Sequence, residues 1–278
     1  MNSEIKQRTL MMRILPIFGF AALCAAVAGF GAACGAAEVS VAVAANFTLP
    51  AQKIAQAFAA DTGHSAKLVS ASTGRFYAQI VDGAPFEVLL SADEATPKRL
   101  EREGLAPAGS RFTYAIGRLA LWSRQATLVD AQGEVLRSGK FAHIALAEPK
   151  LAPYGAAAIE TLNRLGLLNP LQPKMVWGKS IAQTYQFVAS ENAALGFVAL
   201  SQVYLDGRIA QGSAWVVPQN MHQPILQDAV LLAKGKANPA AMAFLAYLRS
   251  QKAQDIIRAH GYDLCASQNP CRAGRANN

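Results

Sequence analysis

Cysteine, histidine and charge are all scarce in this chain, and each scarcity closes off a class of function. Four cysteines and four histidines occur in 278 residues. His64, His143, His222 and His260 stand far apart, with none of the spacings that hold a metal ion. Charged residues are only 16% of the chain, and the basic ones are scattered singly along helices without interleaved aromatics, so no nucleic-acid interface is expected. No Gly-x-Ser-x-Gly elbow occurs, and nothing in the spacing points to a Ser/His/Asp triad. Gly178-Lys179-Ser180 looks like the end of a phosphate-binding loop, but Pro173 stands where the leading glycine belongs. Solenoid repeats and low-complexity stretches are also missing. The chain is therefore read as having no catalytic residues, no cofactor and no enzymatic step.

What is present is a large apolar fraction, 52%, enough for two lobes of ordinary domain size. Lys6, Arg8 and Arg13 precede an apolar run from Ile14 to Ala33, and Gly35-Ala36-Ala37 supplies small residues for cleavage. Residues 1–37 read as a signal peptide cut near Ala37, which implies a periplasmic protein; a membrane anchor is the competing reading of the same run. A lipid anchor at Cys24 or Cys34 would need a lipobox, and Gly31-Ala32-Ala33-Cys34 lacks the usual leucine. Cys24 and Cys34 leave with the leader, so Cys265 and Cys271 remain to close a small loop in an oxidising compartment. Beyond residue 37 the formal charge is +6, a modest field that draws small anions.

Strands and helices alternate along the chain. Val39, Val41 and Val43 read as a strand buried on both faces, and Ala51, Ile54, Ala55 and Phe58 repeat as one face of a helix. Strands at Lys67–Ala71 and Phe86–Leu90 follow, each leading into a helix, the pattern of a parallel sheet with right-handed crossovers. Arg111–Trp122 is long and β-prone with Gly117 in its middle, as a strand leaving one lobe for another would be. The alternation then repeats through His143–Ala147, Met175–Trp177 and Leu195–Leu200, and Ser201 is expected to open a short helix to Leu205. Gln227–Ala233 is read as a strand returning to the first lobe, and Asn238-Pro239 as the start of a helix with Met242, Leu245 and Leu248 inward. The expected organisation is lobe 1 at 38–116 and 229–278 and lobe 2 at 117–228, each a mixed, mostly parallel sheet flanked by helices, with two crossover segments.

Four strand-to-helix elbows carry the available chemistry: Asn46, Thr73, Tyr154 and Ile181. In open α/β folds such elbows lie at the carboxyl ends of strands, where ligands bind. Each helix start leaves backbone N–H groups without intrahelical partners, and Asn46, Ser72, Thr73 and Tyr154 add side-chain donors. Neutral donors from several directions can wrap a tetrahedral dianion, each bond to charge contributing roughly 1.5 to 3 kcal/mol against its dehydration. Asn, Ser, Thr and Gly are also ordinary helix caps, and a tyrosine after a proline can simply pack. The opposing sets in two lobes are what favour a binding site. Arg75, beside Thr73, and Lys179 are read as outward-facing.

The segments AVAANFT, Ser72-Thr73-Gly74 with YAQI after it, GAPFEVLLSAD, RFTYAIGRLALWS, PKLAPYGAAA and ENAALGFVALSQV together resemble the periplasmic molybdate-binding proteins of ABC importers. The resemblance spans Glu38 to Leu264. It implies a class II binding-protein fold, two lobes closing on molybdate or tungstate, delivery to an ABC permease in the inner membrane, and a monomer. It also implies an oxyanion site at Asn46, Thr73, Tyr154 and Ile181, with backbone amides of Ala45, Thr73 and Ile181; any metal enters only as the oxyanion. One departure stands out: where the best-known branch has a tyrosine, this chain has Ala199, whereas Tyr154 takes a position that is alanine there. The alternatives left open are sulfate or another tetrahedral oxyanion, an exported hydrolase using the same cleft, and a sensor domain.

Overall fold

Alternating β-branched residues make the first strand, and helices on both of its faces bury it. The computed structural model describes residues 35–265. The expected leader up to residue 34, with Cys24 and Cys34, and the proposed disulfide partner Cys271 lie outside the described residues. Cys265 is disulfide-bonded.

In strand β1 (Glu38–Ala44), Val39, Val41 and Val43 pack toward helix α1 (Thr48–Thr62), with Ile54 and Phe58 on its inner face. The chain continues through β2 (Ser65–Ala71), α2 (Thr73–Val81), β3 (Val88–Leu90) and α3 (Ala95–Arg102) to β4 (Phe112–Gly117). Ala42, on the other face of β1, packs with Phe76 and Ile80 of α2 and Leu100 of α3. A single residue, Arg118, separates β4 from β5 (Leu119–Ser123), the first strand of the second sheet.

That sheet is built from α4 (Val135–Ser138), β6 (Ile144–Ala147), α5 (Pro153–Leu165), α6 (Leu168–Leu171), β7 (Met175–Gly178), α7 (Ile181–Ala189) and β8 (Leu195–Ala199). A small hairpin follows, β9 (Tyr204–Leu205) with β10 (Arg208–Ile209), and then β11 (Ser213–Val216). The chain recrosses to strand β12 (Ile225–Leu231) and ends in α8 (Pro239–Leu248) and α9 (Gln251–Ala259), which pack on the first sheet.

The two large sheets have five strands each, in the orders β2-β1-β3-β12-β4 and β11-β5-β8-β6-β7. The βαβ units pair parallel, while the crossing strands β4, β5 and β12 pair antiparallel, because they enter a sheet from its far side without a covering helix. Strand β12 pairs with β4 of the first sheet from Ile225 onward. Leu200–Gln202 is a single 3-10 turn, and the stretch after it pairs as a hairpin instead of continuing a helix to Leu205. In α8 the inner face is Ala240, Ala241, Phe244, Leu245 and Leu248, and Met242 is 54% exposed. The apolar character of this helix runs almost all round, so the sequence did not mark which stripe faces the core.

The C-terminal segment adds a tie across the crossings. Ile116 and Asp263 exchange both backbone hydrogen bonds, at 2.8 and 3.1 Å. The Asp263 carboxylate accepts from Arg118 Nη1 at 3.3 Å and from Gln219 Nε2 at 2.8 Å, one residue in each crossover.

Where β12 meets β4 the register slips: Gln227 faces Ala115 and Asp228 faces Thr113, leaving Tyr114 as the extra residue of a bulge. Asp228 is fully buried and is held by Arg111 Nη1 at 2.9 Å and Thr113 Oγ1 at 2.6 Å. Removing the guanidinium would take away an opposite charge held 2.9 Å from that buried carboxylate. Arg111→Met is expected to cost about 2 to 4 kcal/mol in unfolding free energy, measured by urea denaturation, and Arg111→Met/Asp228→Leu to recover much of it.

Candidate oxyanion site

The elbows take their shape from short backbone runs. After β1, Ala45–Phe47 forms a 3-10 turn before α1 begins, with no side-chain cap at either start. Asn46 is therefore not the helix cap its residue type suggests: it is 3% exposed and turns inward. Ser72 precedes α2 in extended conformation, and Thr73 is the first helical residue. Pro153 opens α5, where its missing N–H costs nothing, and this puts Tyr154 in the first turn with its ring inside the fold, 1% exposed. Ser180 caps α7 by accepting from Gln183 N at 3.2 Å, so Ile181 begins that helix.

These elbows converge. One cavity of about 10 Å³ is lined by Ala44, Ala45, Asn46, Ser72, Thr73 and Ala92 from the first lobe and by Ala152, Pro153, Tyr154 and Ile181 from the second. No Asp, Glu, His, Lys or Arg lines it. Arg75 and Lys179 are exposed, away from it. Among the described residues no three His, Cys, Asp or Glu side chains gather as a metal site.

The lobes are joined by hydrogen bonds around the cavity. Gly74 N donates to Leu151 O at 3.1 Å, so the start of α2 rests on the loop ahead of α5. Ser201 Oγ donates to Asn46 O at 2.8 Å. Thr73 Oγ1 accepts from Ala92 N at 3.0 Å, which leaves its own proton available.

Behind the cavity lies a polar cluster that the sequence reading missed. Gln227, fully buried, accepts at Oε1 from Asn46 Nδ2 at 2.8 Å and Tyr114 Oη at 3.0 Å, and donates from Nε2 to Tyr154 Oη at 3.0 Å. Asn46 Nδ2 also donates to Tyr262 Oη at 2.9 Å, and Tyr262 Oη lies 2.7 Å from Asn46 O and 2.9 Å from Ser201 Oγ. Both side-chain protons of Asn46 thus meet partners in this cluster, while the residue itself lines the cavity. The signal for Gln227 was present in Gln227-Asp228 at the head of an apolar strand, since buried polar groups need partners. Tyr262 gave no such sign, sitting past the last helix.

Gly117 makes room for this arrangement. A Cβ there would overlap the Tyr154 hydroxyl and sit 2.7 Å from Gln227 Nε2. Burial is the first cause that pushes the Tyr114 and Tyr154 phenols well above their ordinary pKa, and it pushes Tyr262 up to about 12. All three stay protonated near neutrality.

The family model of bacterial extracellular solute-binding proteins matches residues 39–263. A protein of Azotobacter vinelandii named molybdate-binding protein ModA is 57% identical over 229 residues, 82% of this chain and 91% of that one. The protein of the same name from Rhodobacter capsulatus is 50% identical over 238 residues, covering 86% and 93%. Among solved structures, the Azotobacter vinelandii periplasmic molybdate-binding protein superposes with a TM-score of 0.80 at 43% identity, covering 82% of this chain and all of that one.

The raised phenols give a pH prediction. Below about pH 10 folded and unfolded chains both carry neutral tyrosines; above it the unfolded chain ionises first, so stability falls as pH rises from about 10 through about 12. Urea midpoints taken between about pH 9 and about pH 11 should drop less steeply in Tyr262→Phe than in the unsubstituted chain.

Proposed function

The chain belongs to the bacterial extracellular solute-binding proteins, and on that premise we propose that it captures molybdate, and also tungstate, in the cleft between its lobes and delivers it to an ABC permease in the inner membrane. The observation that carries this reading is the cavity shared by two lobes and lined by helix starts with no charged side chain. Ala45, Asn46, Thr73, Tyr154 and Ile181 are its proposed ligand-binding residues. The work is binding, with no bond made or broken in the solute.

A tetrahedral dianion offers acceptor oxygens in every direction and no proton. Backbone N–H groups at the starts of α2 and α7, the Thr73 hydroxyl and the Tyr154 phenol are donors, which matches that demand. Four or five such bonds at roughly 1.5 to 3 kcal/mol each are of the size needed to offset dehydration of a small ion. Since they come from both lobes, the ion favours the closed arrangement, and the permease would read the closed shape. Closure bends the chain at its crossings, Gly117–Leu119 and the segment ahead of Ile225. The protein acts as a periplasmic monomer, with residues 1–37 as its export signal.

Calorimetric titration of the mature chain with molybdate, tungstate, sulfate and phosphate tests the proposal. Tight binding of the first two and weak or no binding of the others is expected, with Tyr154→Phe weakening molybdate by about 10-fold or more. Equal affinity for sulfate would sink the molybdate assignment.

A further inference from the structure

We propose that Gln227 is a positioning residue of the oxyanion site: it holds the Tyr154 phenol of one lobe and the Asn46 amide of the other in a single register and makes the phenol a donor. This rests on the oxyanion reading and adds to it a residue that does not line the cavity.

Gln227 Oε1 receives Asn46 Nδ2 at 2.8 Å, and Tyr114 Oη, 3.0 Å away, shares its single proton between that oxygen and Ser91 O at 3.1 Å. With the oxygen so engaged, Nε2 must face Tyr154, where it donates at 3.0 Å. A phenol oxygen that accepts from an amide has its single proton to give elsewhere, here to the Tyr262 hydroxyl oxygen, and burial keeps that proton on Tyr154. An incoming oxyanion, carrying full charge, outcompetes that neutral hydroxyl oxygen as the acceptor. A hydrogen bond between Gln227 and Tyr154 also crosses from the first sheet to the second lobe, so the phenol is set correctly only when the lobes are together.

The register slip at Gln227 and Asp228 explains how a central strand places such a residue. Tyr114 drops out of the pairing, which brings its hydroxyl onto Gln227 while Asp228 turns to Arg111 and Thr113. Gly117 then leaves the space in which the Tyr154 hydroxyl and Gln227 Nε2 meet.

The test is a double-mutant cycle on molybdate affinity with Gln227→Met, Tyr154→Phe and the pair, each checked by thermal unfolding without ligand. Gln227→Met is expected to weaken binding about 10- to 100-fold, and the pair to be little worse than the weaker single variant, because both remove the same oriented donor. A second readout uses Gln227→Glu. A carboxylate there accepts the Tyr154 proton and repels the anion, so affinity should fall near neutrality and recover as the solution is acidified. The groups facing position 227 in the unsubstituted chain are the phenols of Tyr114, Tyr154 and Tyr262, with Asp93 and Asp228 nearby, and its affinity should show no such recovery. Unchanged affinity in Gln227→Met, losses that multiply in the pair, or a pH-independent Gln227→Glu would each overturn this inference while molybdate binding by the unsubstituted chain stands. Failure of the unsubstituted chain to bind molybdate would overturn the oxyanion reading itself, and this inference with it.

Discussion

An oxyanion taken out of water must be given a hydrogen-bond donor for each contact it loses, and in the proposed site the donors belong to two different sheets. Neither lobe presents them all. Thr73 and the first elbow come from the β1–β3 side, Tyr154 and Ile181 from the β6–β7 side, and the cavity exists only where they face each other. The strand-to-helix order of each lobe, which puts helix starts at the carboxyl edge of a sheet, follows from that need for oriented amides.

The absence of charge at the cavity is a selection as much as an economy. A guanidinium would bind any anion that reached it, and its planar fork would hold one side of a tetrahedron. Fixed neutral donors respond to distance and direction, so a site built from them separates ions by size and by proton content. An ion that must donate a hydrogen bond of its own finds a ring of donors and little to accept its proton. In the proposed site the mild positive charge of the whole chain draws anions in general, and the neutral donors sort them.

Much of the fold was legible because its periodicities are strong. The alternation of strand and helix, the elbows at Asn46, Thr73, Tyr154 and Ile181, and the crossing at Gly117 can all be read from apolar spacing and helix-start residues. What could not be read depended on contacts between residues far apart in sequence. Asn46 has the residue type of a cap, and only the positions of Gln227 and Tyr262, 181 and 216 residues away, send its amide inward. The bulge at Tyr114 leaves no local mark, because slippage is a property of two strands. Met242 sat on a helix too uniformly apolar for periodicity to orient it, and the hairpin at Tyr204–Ile209 is too short for a pattern to develop.

The proposed hinge and the proposed site share residues. Gly117 ends β4 at the first crossing and also admits the Tyr154 hydroxyl, while Arg118, the next residue, is held by Asp263 from the C-terminal segment. Tyr262, beside Asp263, reaches Asn46 and Ser201, one in each lobe. A rotation of the lobes about these crossings therefore alters the hydrogen bonds behind the cavity as it alters the cavity's width. On the proposed reading, closure and donor orientation are one structural change, and the free energy of holding the ion and that of bringing the lobes together are linked through the same few bonds.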